Sequence, residues 1–116
     1  MNIALAVTNN MVTEHFGHCE YFLIHEVEGK DIKGTKIVKN PPHQKGFLPD
    51  YLKKMDVDVI ICGNMGEMAL KMFEDLGISV YRGISGNVEE ITGKYLRGEL
   101  VSSEAICREH AYHHES

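Results

Sequence analysis

Cysteine is scarce in this chain and spaced wrongly for a covalent framework. Cys19, Cys62 and Cys107 form no CxxC pair, and any pairing leaves one over. That excludes a disulfide-stapled domain and implies a reducing compartment, expected to be the cytoplasm. Positive charge is short as well: twelve Lys and Arg against seventeen Asp and Glu give a net charge of −5, and Lys53-Lys54 is the one adjacent basic pair. Without a phosphate-neutralising patch, no nucleic-acid partner is expected. No apolar run approaches the roughly 18 residues of a membrane span, and Met1-Asn2-Ile3 opens directly into a strand-like run, so neither a signal peptide nor membrane attachment is expected. GxGxxG, the Gly-Lys-Ser/Thr ending of a P-loop and the GxSxG elbow are all missing.

What is present suits one globular domain. The 116 residues are 43% hydrophobic and 25% charged, and a chain of this size buries roughly two-thirds of its unfolded surface. Ile3 to Val7 is a continuous apolar run, the pattern of a central strand buried on both faces. Tyr21 to Val27 is a second strand, Gly29 to Gly34 a turn, and Thr35 to Lys39 a third strand with edge character from its lysines. Asn40-Pro41-Pro42 stops the pairing. Phe47, Leu48, Tyr51, Leu52 and Met55 form a helical stripe. Val57 to Cys62 is a fourth strand, and Met65 to Leu76 a second helix closed by Gly77. Ile78 to Tyr81 is a fifth strand, and Val88 to Leu96 a third helix ended by Gly98.

The order βββαβαβα, with right-handed crossovers, predicts an α/β domain over residues 1–100 and a separate tail over 101–116. The expected architecture is a ribonuclease H-like mixed five-stranded sheet in the order 3-2-1-4-5, with strand 2 antiparallel and helices on both faces. The first strand carries no carboxylate, so the magnesium site of nucleases with that fold is not expected. The loops after the parallel strands would share one edge of the sheet. They hold His15, His18 and Cys19; His43; Gly63 to Gly66; and Gly83 to Gly86. A crevice is expected between the first and fourth strands, where the chain departs to opposite sides.

His15-Phe16-Gly17-His18-Cys19 puts two imidazoles and a thiol into that crevice wall, the ligand types of zinc, copper and iron. Phe16 reads as a buried anchor, Gly17 as the bend that aims both rings inward, and Cys62 as a core thiol. Asn64 with Glu67, and Asn87 with Glu90, read as capping boxes of the next two helices. These loops are either plain helix-starting turns or amide-lined walls that favour an anion. In the tail, Cys107, His110 and His114 would share one face of a helix. It is either a solvated terminus or a holder of a soft divalent ion, and it could swing over the crevice.

The element order, His15-Phe16-Gly17 after the first strand, the glycine turn after the fourth and Gly83-Ile84-Ser85-Gly86-Asn87-Val88 after the fifth resemble the dinitrogenase iron–molybdenum cofactor biosynthesis family. That family includes NifX, NafY and the C-terminal part of NifB, and the similarity runs from Met1 to about Leu100. His18-Cys19 departs from it, since small residues usually follow the glycine. The resemblance implies a non-catalytic carrier of an iron–molybdenum-type cluster, or of another molybdenum, copper or iron sulfide cluster. Its partners would be cluster donor and acceptor proteins, and it would be a monomer or weak homo-oligomer. The implied cluster-binding residues are His15, Phe16, Gly17, His18, Cys19, Gly63, Asn64, Gly66, Gly83, Ser85, Gly86 and Asn87, with His15 foremost. Candidate metal ligands are His15, His18, Cys19, Cys107, His110 and His114. The competing expectation is a divalent-metal buffer or sensor using the loop and tail ligands.

Overall fold

Every side chain from Ile3 to Val7 is fully buried, because this strand has helices packed on both of its faces. Ala4 and Ala6 point to one side, where their small size leaves room for Phe22, Leu52 and Phe73; Ile3, Leu5 and Val7 point to the other, against Val88 and Ile91. The computed structural model describes residues 1–41 and 47–102. His43 and the tail residues Cys107, His110 and His114 lie outside the described residues.

The elements are β1 (Asn2–Thr8), β2 (Met11–Val12), β3 (Tyr21–Glu28), β4 (Asp31–Lys39), α1 (Phe47–Lys54), β5 (Val59–Ile61), α2 (Glu67–Asp75), β6 (Ser79–Tyr81) and α3 (Val88–Leu96). They build one mixed sheet of six strands in the order β4-β3-β1-β5-β6, with the short β2 paired to β1 off this path. β3 is antiparallel to β1 and to β4, whereas β5 runs parallel to β1 and β6 parallel to β5. Helices α1 and α2 cover one face and α3 the other. Gly77 and Gly98 follow the C-caps Leu76 and Arg97 with φ of +80° and +74°, the left-handed step that releases the chain from a helix at little cost for glycine.

Two elements differ from expectation. The turn expected over Gly29 to Gly34 shrinks to Gly29-Lys30, and β4 starts at Asp31. Gly29, at φ +64°, provides the positive first position of a two-residue hairpin. The register then shifts between Glu26 and Val27, whose partners are Gly34 and Ile32, so Lys33 is the extra residue of a bulge. The polar residues Asp31 and Lys33 read as turn because an exposed edge strand lacks an apolar signature. The second difference is β2, two residues that fold back on Val7 and Thr8. Asn9 and Asn10, both at positive φ, make that reversal, a conformation asparagine tolerates better than most residues.

Candidate functional site

Past the ends of β1 and β5 the backbone pairing continues. Gly63 N–H donates to the Thr13 carbonyl at 3.0 Å, Asn64 N–H to Glu14 at 2.6 Å, and Phe16 N–H to Asn64 at 2.9 Å. His15 and Asn64 thus face each other across a parallel bridge. Only glycine fits at position 63: a Cβ there would run into the carbonyls of Thr13 and Glu14. The third loop is laced into the same ladder. Gly83 N–H donates to the Gly63 carbonyl at 2.8 Å, Ile84 N–H to Cys62 at 3.0 Å, and Val12 N–H to Gly86 at 2.9 Å.

The ladder divides the expected crevice in two. One cleft, of about 540 Å³, is lined by His15, Phe16, Gly17, His18, Asn64, Met65 and Gly66. The other, of about 330 Å³, is lined by Val12, Glu14, Gly63, Asn64, Gly83, Ile84 and Ser85. The histidine loop therefore shares its cleft with the start of α2. Gly83 and Ser85 line the neighbouring cleft, while the Gly86 carbonyl is held by Val12.

Phe16–His18 is a single 3-10 turn closed by His18 N–H on the His15 carbonyl at 2.9 Å. In such a turn side chains three apart eclipse each other. Phe16 and Cys19 consequently point inward, and His15 and His18 outward. Phe16 stacks edge-on against Phe73, with ring centres 5.5 Å apart, and tilted against Phe22 at 6.0 Å. Cys19 is 4% exposed, and burial pushes its thiol up to about 11. The expected cluster of two imidazoles and a thiol is thereby split. His15 and His18 stay exposed at the rim, ring centres 6.0 Å apart and 65° between planes; Cys19 belongs to the core. Gly17 is not needed for the bend, since its φ is ordinary and a Cβ there would meet open space. Cys62 is a core thiol too, pushed up to about 12 by burial, with the Arg82 charge pulling weakly the other way.

The two helix starts also separate. Asn87 caps α3 as expected, its Oδ1 accepting from Glu89 N–H at 2.8 Å and Glu90 N–H at 3.4 Å. Asn64 does not cap α2. Its backbone is committed to the ladder on both sides, and the N-cap is Gly66, with no side-chain acceptor on the first turn. Glu67 turns instead to Arg82, whose guanidinium donates to its carboxylate and to the Met65 carbonyl, each at 2.8 Å.

Arg82 and Asn40 are positioning residues that the sequence reading passed over. The Arg82 side chain is only 12% exposed and fixes the Met65–Glu67 segment along the cleft. Asn40 donates from Nδ2 to the Cys19 carbonyl at 2.8 Å and the Gly17 carbonyl at 3.3 Å, clamping the histidine turn. A lone charge directly after a strand and an asparagine directly before Pro41-Pro42 were the available signals. Glu14 lies 4.0 Å from His15 Nε2, both exposed, a pairing of little energetic weight. Among the described residues no three His, Cys, Asp or Glu side chains come together as a metal site.

Comparison with known proteins reaches the same part of the chain. The family model described as dinitrogenase iron-molybdenum cofactor matches residues 1–98. The uncharacterized protein MJ0580 of Methanocaldococcus jannaschii is 36% identical over 105 residues, covering 86% of this chain and 89% of that one. The crystal structure of PH0822 superposes with a TM-score of 0.82 at 29% identity, over 86% of this chain and 92% of that one. The crystal structure of MJ0327, also from M. jannaschii, gives 0.73 at 27%, over 86% and 91%. The chain belongs to the dinitrogenase iron–molybdenum cofactor family.

Proposed function

We propose that this protein binds an anionic metal–sulfur cluster of the iron–molybdenum type in the cleft beside His15 and His18, and passes it on without catalysis. The observation that carries this reading is the pair of exposed imidazoles at the rim of an open cleft that also takes in the start of α2. Imidazole nitrogen suits the metals of such clusters. The α2 start, with no side chain on its first-turn N–H groups, favours negative charge. Phe16 and Met65 supply an apolar, polarisable floor. At about 540 Å³ the cleft is in the range of small-ligand sites, and its openness suits a cargo that must leave again. Cluster donor and acceptor proteins are the partners this role requires. Gly83, Ser85, Gly86 and Asn87 act in this reading as support for the ladder, and Cys19 as core. The sheet order and two-sided helix packing support a ribonuclease H-like architecture without a nuclease's acidic centre.

The test is anaerobic titration of the apo-protein with thiomolybdate, with and without copper, followed by its charge-transfer absorption. Binding should be stoichiometric, and His15→Ala should weaken it by about tenfold or more. Unchanged binding in His15→Ala would remove that residue from the site.

A further inference from the structure

We infer that a further cleft, at the end of the sheet opposite the histidines, binds a small zwitterion with an apolar body, of the class of a free aliphatic amino acid. This cleft, of about 380 Å³, opens where β1 begins and α1 has just ended, and its size lies in the lower range of small-ligand sites. The strand register builds it. Asn2, Glu26 and Gly34 are partners across β1, β3 and β4, and the next row on the same face is Ala4, Ile24 and Lys36. Ala4 and Ile24 belong to the core under α1 and α2. Helix α1 stops at Lys54, and the Asn2–Glu26–Gly34 row is left open to solvent. Gly34 makes the hollow. Its φ is not positive, so the backbone there does not require glycine, and a strand glycine costs stability. A Cβ at this position would stand 3.7 Å from Glu26 Oε1, so the carboxylate borders the gap that the missing side chain leaves. Such a gap within a strand marks close approach by another group.

The charges around this hollow suit a molecule that carries both signs. Glu26 and Lys36 are diagonal neighbours on one face, a relation that sets residues about 7–8 Å apart. Both line the cleft, and among the described residues neither side chain forms an ion pair or a hydrogen bond. The two opposite charges thus face one cavity without meeting, and a ligand ammonium on Glu26 with its carboxylate on Lys36 would satisfy both. Asp56 adds a second negative charge on the Glu26 side. It is held there by Asn2, whose Nδ2 donates to the Asp56 carbonyl at 2.9 Å. Ile24, 3% exposed, and the half-buried Met55 give the apolar part of the lining. A free aliphatic amino acid presents the three matching parts: ammonium, carboxylate and hydrocarbon side chain.

This site shares no residue with the histidine cleft, so it stands or falls apart from the cluster reading. The experiment is titration of the full-length, nitrogen-15-labelled chain with L-leucine, followed by the backbone amide resonances. Saturable shifts are expected at Glu26, Gly34, Lys36 and Asp56. Isoamylamine, which is leucine without its carboxylate, and 4-methylpentanoate, which is leucine without its ammonium, should each bind at least about tenfold more weakly. Glu26→Gln and Lys36→Met should each lower leucine affinity by a similar factor. Both side chains are exposed, so the rest of the spectrum should keep its native pattern. Gly34→Val should fill the hollow and abolish the shifts. Lys39→Met removes the same charge from the other face of β4, and should leave leucine affinity as it is. Absence of saturable shifts with leucine would overturn the inference. So would isoamylamine binding as tightly as leucine, which would make this a plain cation site, or unchanged leucine affinity in Lys36→Met. An equal loss in Lys39→Met would also overturn it, by reducing the effect to overall charge.

Discussion

Helices α2 and α3 begin alike, each after a parallel strand and a glycine-bearing loop, and both leave from the same edge of the sheet. They are finished differently. At α3 the Asn87 carboxamide satisfies two of the first N–H groups, so the positive end of the helix is answered internally. At α2 the asparagine in the matching place, Asn64, is drawn into the ladder beside Glu14 and Phe16, and the helix starts from Gly66 without a side-chain cap. The capped start is structural; the uncapped one borders the cleft with the two imidazoles. A loop that gives its asparagine to tertiary pairing loses a cap and gains an open, partly positive rim.

The contrast can be broken most severely at its pivot. Gly63→Ala forces a methyl into the carbonyls of Thr13 and Glu14, and should cost about 3 kcal/mol in urea unfolding. It should also abolish the proposed cluster binding. Gly66→Ala, with φ of −70° and open space around its Cβ, should leave the fold nearly as stable. Next in size is Arg82→Met, which removes the buried guanidinium that aligns the start of α2; a loss of about 2 kcal/mol is expected, with weakened cluster binding. Asn87→Ala should cost about 1 kcal/mol by the same measurement and leave cluster binding unchanged. Asn64→Ala, identical in chemistry, should cost less than about 0.5 kcal/mol because no cap is lost. Equal costs at Asn64 and Asn87 would erase the distinction between the two helix starts.

The smallest effect tests a site remote from both starts. His25, opposite Ile3 on β3 and bonded through Nδ1 to Thr35 Oγ1 at 2.8 Å, has its pKa lowered from 6.5 by burial. The unfolded chain therefore takes up a proton there at a higher pH than the folded one. The resulting stability is complete above pH 6.5 and is lost as pH falls from there through the folded-state value. His25→Gln should flatten that part of the pH–stability curve, and should do so equally in Asn64→Ala and Asn87→Ala backgrounds.

The course of the chain could be read from local pattern wherever burial was two-sided or periodic. The unbroken apolar run of β1, the stripes of the helices and the glycines at 77 and 98 all have signatures that depend on nearby residues alone. The start of β4 carries no such signature because Asp31 and Lys33 look like turn residues, and β2 carries none because two residues have no period. The site was harder for the same reason. That Asn64 would be taken by Glu14 and Phe16, fifty residues away in sequence, is a tertiary fact with no local mark. The inward turn of Cys19 was readable in principle. His15 and His18, like Phe16 and Cys19, are three apart, and a 3-10 turn sorts such pairs onto opposite sides. Ligand type singles out a loop that lines the cleft; only the turn's period could have divided it.

The backbone ladder between Thr13–Phe16 and Gly63–Asn64 has one more consequence. Because the sheet's own pairing runs on into the rim of the cleft, the amide protons of Phe16 and Asn64 should exchange with deuterium at the pace of the β1–β5 core, far slower than ordinary surface loops. A cluster of the kind proposed would meet a mould already set there, and would lose little ordering entropy on docking. Under the proposed function, selection among clusters would then rest on size and charge, and hand-off would need no unfolding of the protein.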